Sequence, residues 1–230
     1  MVNWFNHFDK PEHMNNSIKI DSVFLSFKDH KVLRGANIEL KKGFVTGLLG
    51  RNGSGKSCFL KIITGQLKAQ SKHISFGDKR LINLYKEKGL INYLPQHEFH
   101  PKSINLIGLL DYYSIDEKDF FERYELLAKN KSDNFRRLSG GQRRLIEVLL
   151  VLESKSKFSI LDEPFTHVMP IYIKMISKRI TELKSEKGIL ITDHQYQNVI
   201  DTADELFLMN EGRLNRVKAK EDLKFYGYIR

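Results

Sequence analysis

The segment Gly50-Arg51-Asn52-Gly53-Ser54-Gly55-Lys56-Ser57 fits the pattern G-x-x-x-x-G-K-[ST]. An apolar run, Val45 to Leu49, precedes it, and a helical pattern from Cys58 to Ile63 follows. A buried strand, a glycine turn and a helix start in that order let backbone N–H groups converge on a phosphate chain. The helix N-terminus adds a partial positive charge. In that context Asn52, Gly53, Ser54 and Gly55 form the cradle. Lys56 reaches the β- and γ-phosphates as a point charge, and the Ser57 hydroxyl is a candidate Mg²⁺ ligand. This sequence of elements requires an α/β core with a parallel sheet.

The chain has 230 residues, of which 41% are hydrophobic, enough for one large or two small domains with a proper core. Met1 to Ser17 carries Trp4, Phe5 and Phe8 but is interrupted by polar residues, unlike the apolar centre of a signal peptide. No stretch has the length and apolarity of a membrane-spanning helix. Cys58 is the single cysteine, which excludes an intramolecular disulfide or a cysteine-rich metal site and fits a reducing, cytosolic setting. The net charge of +10 admits nucleic acid, an anionic membrane surface or a nucleotide as partner. Its lysines are dispersed and its basic clusters short, a pattern that reads as solvated surface and argues against nucleic acid.

Along the chain, Ile18 to Phe27 and Val32 to Leu40 read as strands in an edge region, with a turn at Lys42-Gly43. Short strands follow at Ile74 to Phe76 and Leu90 to Leu94. Between Asn105 and Lys131, apolar residues recur at helical spacing, which predicts a helical insertion. Phe158 to Leu161 and Gly188 to Thr192 suit central parallel strands, with an amphipathic helix through Ile173, Ile176, Ile180 and Leu183 between them. Asn210-Glu211-Gly212 signals a hairpin. The strand from Phe158 ends in Asp162 and Glu163, where a phosphate-loop fold needs a Mg²⁺-directed acid and a proton acceptor. Leu138-Ser139-Gly140-Gly141-Gln142, ahead of a further helical stretch, is a second candidate phosphate-binding element.

Taken together, these segments resemble the nucleotide-binding subunit of ATP-binding cassette (ABC) proteins over nearly the whole chain, from about Ile18 onward. In the family's order, Gly50 to Ser57 is the Walker A loop and Gln96 in Tyr93-Leu94-Pro95-Gln96 is the Q-loop glutamine. Leu138 to Gln142 is the signature, Ile160 to Pro164 the Walker B strand, and His194 the switch histidine. Phe27 stands in the place of the adenine-stacking aromatic, although a strand aromatic can equally be core. The resemblance implies a P-loop NTPase core carrying an antiparallel β subdomain and a helical subdomain over about 97–150, with residues 1–17 as an extension. It implies a head-to-tail dimer in which each ATP lies between one subunit's Walker A loop and the other's signature residues Ser139, Gly140, Gly141 and Gln142. Glu163 is then the catalytic base, Gln96 senses Mg²⁺ and the attacking water, His194 holds the γ-phosphate, and Ser57, Gln96 and Asp162 face the metal.

The same resemblance implies an ATPase that energises separate transmembrane subunits from the cytoplasmic face of the membrane. The alternative is a soluble or regulatory cassette acting as a nucleotide-gated clamp. The Asp-Glu-Pro-Phe opening at Asp162, the Ile191-Thr192-Asp193-His194 run and the Phe225-Tyr226-Gly227-Tyr228 ending are similar to ATPases of lipopolysaccharide export and branched-chain amino-acid uptake. Two departures stand out: the D-loop has His167 for glycine and Met169 for aspartate, and Cys58 replaces the usual hydroxyl residue beside the α-phosphate. Phe99, Ile104, Leu106 and Ile107 provide either a groove for the transmembrane chain or subdomain core. His97 and His100 read as plain loop residues.

Overall fold

Six strands build the frame. The computed structural model describes residues 16–229, so most of the expected N-terminal extension lies outside the described residues. β3 (Val45–Gly50), β6 (Ile91–Leu94), β7 (Phe158–Asp162), β8 (Gly188–Thr192), β9 (Glu205–Asn210) and β10 (Arg213–Val217) form one sheet in the order β10-β9-β3-β8-β7-β6. The five strands from β9 to β6 run parallel, and β10 closes the edge as an antiparallel hairpin partner of β9. That hairpin turns on Glu211 and Gly212, both with positive φ, as a two-residue turn requires.

Side chains alternate between the two faces of this sheet, and each face feeds its own core. Val45 and Leu49 of β3, Leu161 of β7, and Ile189 and Ile191 of β8 point to one cluster. Leu48, Phe158, Ile160 and Leu190 point to the other. Strands buried on both faces read as continuous apolar runs, which is why β3, β7 and β8 were legible without alternation. The first cluster is capped by α5 (Gly140–Glu153), α6 (Pro170–Leu183) and the short helices α2 (Leu106–Tyr112), α3 (Glu117–Arg123) and α4 (Glu125–Ala128). The second takes in α1 (Lys56–Ile63) and a four-stranded antiparallel sheet, β2-β1-β4-β5.

In that second sheet β1 (Ser17–Phe27) pairs with β2 (His30–Lys41) on one side and β4 (Ser71–Phe76) on the other, with β5 (Lys79–Leu81) beyond. The expectation that both early strands are edge strands therefore holds for β2 and fails for β1. Ile18, Ile20, Val23 and Leu25 of β1 are buried, and β4, forty residues on, covers the other side. Two short helices, α7 (Tyr196–Thr202) and α8 (Lys220–Phe225), complete the described chain.

Lys187, in the turn between α6 and β8, is buried with its ammonium donating to the carbonyls of Leu152 and Ser154 at 2.5 and 2.7 Å. A cation suits the negative C-terminal end of α5, yet burial lowers its pKa from the usual 10.5 to about 8. Between those two values the unfolded chain binds the proton that the folded chain has released, so this group's contribution to stability rises with pH across that window. In urea unfolding, the stability of the wild type relative to Lys187→Met is expected to grow by about 1 to 2 kcal/mol between pH 7.5 and 9.5. A difference that does not change with pH would show that Lys187 is not held in this depressed state.

Candidate functional site

The carboxyl ends of β3, β6, β7 and β8 lie side by side, and the loops that leave them carry the polar residues. β3 ends at Gly50, whose φ is 157° and where a Cβ would meet Ser54 Oγ at 2.7 Å and the Met209 carbonyl at 2.8 Å. Glycine is needed there for space. Gly55, at φ 108°, caps α1 in the left-handed region, so the chain can turn directly from loop to helix. Asn52 and Gly53 are exposed, and Ser54 Oγ is buried without a hydrogen-bond partner. A cradle with an unpartnered hydroxyl and a helix N-terminus suits a phosphate chain. Cys58 is half-buried, one turn into the second core, and brings no hydroxyl to this loop.

The Lys56 ammonium folds over the loop, donating to the carbonyls of Gly50 at 2.6 Å and Arg51 at 3.2 Å. Burial pulls its pKa down, and the nearby Asp162 and Glu163 carboxylates oppose that pull. Asp162 shows the complementary effect: burial and then the neighbouring Glu163 push its pKa up to about 6, against the Tyr93 hydroxyl, which donates to it at 3.3 Å, and the positive charges of Arg144 and Lys56. The Asp162 carboxylate, the Ser57 hydroxyl and the Gln96 amide oxygen are oxygen donors, the chemistry that a hard cation such as Mg²⁺ takes.

Glu163 is the point of convergence. One of its oxygens, Oε1, accepts from Gln96 Nε2 at 3.0 Å and lies 2.7 Å from His194 Nε2. The three residues that sequence reasoning put forward as catalytic thus meet on a single buried carboxylate. Its backbone sits at φ 57°, a left-handed conformation that non-glycine residues adopt at a cost. The Glu163 N–H donates to the Thr192 carbonyl at 2.7 Å, and Asp193 holds the next turn by accepting from the Phe165 N–H at 2.8 Å and the Thr166 hydroxyl at 3.2 Å.

Ser139 caps α5, and Ser139 and Gly140 are exposed while Gly141 and Gln142 are half-buried. The Ser139 hydroxyl accepts from the Gln142 N–H, and the Gln142 side chain accepts from the Ser139 N–H, a reciprocal capping box. Among the described residues, no hydrogen bond joins this segment to the 50–57 loop. Phe27, at the end of β1, is 51% exposed, which removes the reading of it as core. His167 takes φ 62°, the conformation that the family's glycine adopts without strain, and Met169 is 52% exposed at the N-cap of α6, with no side-chain cap.

Of the two readings of the segment after Gln96, groove or core, Leu106 takes the second: it is fully buried, with Ile104 half-buried against the same core. His100 is more than a loop residue: its side chain is buried, with Nδ1 3.2 Å from Glu147 Oε1 and Nε2 3.1 Å from the Tyr113 hydroxyl. Sequence reading missed Arg144 and Glu147, which are buried in α5 behind the site. The available signal was a single charge, Glu147, inside the apolar run from Leu145 to Leu152, with Arg144 just ahead of it.

Residues 33–166 match the sequence model of the family described as ABC transporter. The chain belongs to the ABC transporter family. It is 31% identical over 214 residues to the lipopolysaccharide export system ATP-binding protein LptB of Haemophilus influenzae, a match covering 84% of this chain and 87% of that one. A probable branched-chain amino acid transport ATP-binding protein, LivG of Methanocaldococcus jannaschii, is 29% identical over 225 residues, covering 86% and 87%. Among solved structures, the ADP conformation of MJ1267, an ATP-binding cassette of an ABC transporter, superposes with a TM-score of 0.69 at 26% identity, covering 91% and 93%. This ABC chain is accordingly an ATP-binding and ATP-hydrolysing subunit that energises a transporter, a reading the relatives favour over a soluble or regulatory clamp. No helix among the described residues is long and apolar enough to cross a membrane.

The geometry of the loop gives a direct expectation for Lys56. Lys56→Ala removes the cation and leaves the fold intact, because the ammonium contacts only the loop's own carbonyls. Calorimetry should show ATP binding weakened by roughly tenfold or more, the worth of a charge-assisted contact. Equal affinity would remove Lys56 from the site.

Proposed function

We propose that this ABC subunit cleaves ATP with Glu163 as the general base. The observation that carries this reading is the meeting of Gln96 and His194 on the Glu163 carboxylate, at the strand end beside Lys56 and Asp162. Glu163 takes a proton from the water that attacks the γ-phosphorus, while Gln96 and His194 fix the carboxylate and meet the water and the γ-phosphate. Gly50 to Ser57 wraps the phosphates, and Phe27 stacks on the adenine. Mg²⁺, held by Ser57, Asp162 and Gln96, would neutralise charge on the β- and γ-phosphates.

The signature residues Ser139 to Gln142, exposed at Ser139 and Gly140 and making no hydrogen bond to this chain's own phosphate loop among the described residues, support a head-to-tail pair of subunits. Each signature then reads the nucleotide of the other. Exposed Met169 and His167 lie on the turn that follows the base, where an apolar side chain weakens polar coupling between the two sites. The domain division that goes with this reading is a core and antiparallel β subdomain with a helical subdomain over about 97–150. The transmembrane chain docks after Gln96, where Phe99 and Tyr112 are exposed beside His100 and Tyr113. This places the protein on the cytoplasmic face of a membrane, and its positive charge suits that surface better than nucleic acid.

Glu163→Gln keeps the side chain's shape and its hydrogen-bonding partners while removing the proton acceptor. Phosphate release by the purified variant should fall by roughly 10² or more, with ATP affinity retained. Unchanged release would sink the assignment.

A further inference from the structure

Arg144 sits one turn inside α5, and its side chain is almost fully buried against carbonyls from two segments far apart in the chain. Nη1 donates to the Pro95 carbonyl at 2.8 Å, and Nη2 donates to the carbonyls of Asp162 at 2.6 Å and Glu163 at 3.0 Å. One guanidinium therefore grips the peptide just before Gln96 and the two peptides that carry the acidic pair. Its rigid planar fork matches this role, since the donors of an ammonium all radiate from one nitrogen on a flexible stem.

Behind it, Glu147 is fully buried on the same helix, 3.6 Å from Arg144. Glu147 Oε1 accepts from the Phe99 N–H at 3.2 Å and lies 3.2 Å from His100 Nδ1, while Oε2 has no hydrogen-bond partner and is balanced by the guanidinium alone. Arg144 and Glu147 together clamp the polypeptide on both sides of Gln96 to the helix that begins with Ser139-Gly140-Gly141-Gln142. A buried charge pair costs desolvation and is a weak source of stability. Its placement here is directed at the backbone of the site.

We infer that Arg144 is a positioning residue for ATP cleavage, holding Glu163 in its left-handed backbone conformation and tying Gln96 to it, with Glu147 orienting the guanidinium. This rests on the assignment of Glu163 as base. Arg144 touches no side chain of the phosphate loop, so the effect falls on turnover and leaves nucleotide binding alone. Because the guanidinium is part of α5, any shift of the signature segment moves the acidic pair and Gln96 with it.

The test measures kcat, KM for ATP, nucleotide affinity and melting temperature on the full chain carrying Arg144→Lys, Glu147→Gln or Glu163→Gln. Arg144→Lys keeps the charge and loses the fork, and its kcat should fall roughly tenfold or more with KM within about twofold of wild type. Glu147→Gln retains an acceptor for Phe99 and His100 but releases Arg144, with kcat expected to fall roughly threefold or more at unchanged KM. If Arg144→Lys does not fold, Glu147→Gln decides alone. Wild-type kcat in the folded variants, or a loss confined to KM and affinity, overturns the positioning role while a dead Glu163→Gln leaves the base intact. Full turnover in Glu163→Gln overturns both.

Discussion

In-register parallel pairing of β6, β7 and β8 is the constraint on which the rest depends. Leu94 pairs with Leu161, and Asp162 pairs with Thr192. Gln96 and Glu163 each stand two residues beyond a member of the first pair, and His194 stands two beyond Thr192. Three residues scattered from position 96 to position 194 therefore emerge at one edge of the sheet. A slip by one residue would turn every side chain of a strand to the opposite face, exchanging Ile160 for Leu161 in the two cores and removing Glu163 from its partners. The two hydrophobic clusters thus do more than stabilise the fold: their distinct faces lock the register that assembles the site.

Held in that frame, the site carries several unfavourable local terms. Glu163 has a left-handed backbone, Asp162 is buried beside another carboxylate with its pKa raised to about 6, and Lys56 is partly desolvated. Each is a departure that the surrounding packing maintains, as expected where geometry serves chemistry. The charges also balance one another: Lys56 faces the acidic pair from the phosphate loop, and Arg144 supports it from α5.

Much of this was legible in the sequence because its parts are local. The 50–57 loop, the Leu138 to Gln142 segment ahead of its helix and the strand ending in Asp162-Glu163 each follow from residues within a few positions of one another. Continuous apolar runs marked the doubly buried strands, and Asn210-Glu211-Gly212 marked the hairpin. What escaped was set by long-range pairing. β1 became interior because β4 covers its far side, and no pattern within Ile18 to Phe27 encodes that partner. His100, Glu147 and Arg144 looked like ordinary polar residues until the fold brought them together, since a buried ion pair and a solvated one have the same sequence. The positive φ at His167 was suggested only by the glycine that the family places there.

Gln96 and His194 both meet one oxygen of Glu163, and residues that act as a unit give non-additive losses. The most direct measurement is single-turnover ATP cleavage by Glu163→Gln, by Gln96→Ala with His194→Ala, and by the triple variant, all at saturating Mg·ATP. The predicted result is that the triple variant cleaves ATP no more slowly than Glu163→Gln alone, within about threefold. Losses that multiply across the three positions would contradict the account, because they would show the glutamine and the histidine working independently of the carboxylate they contact.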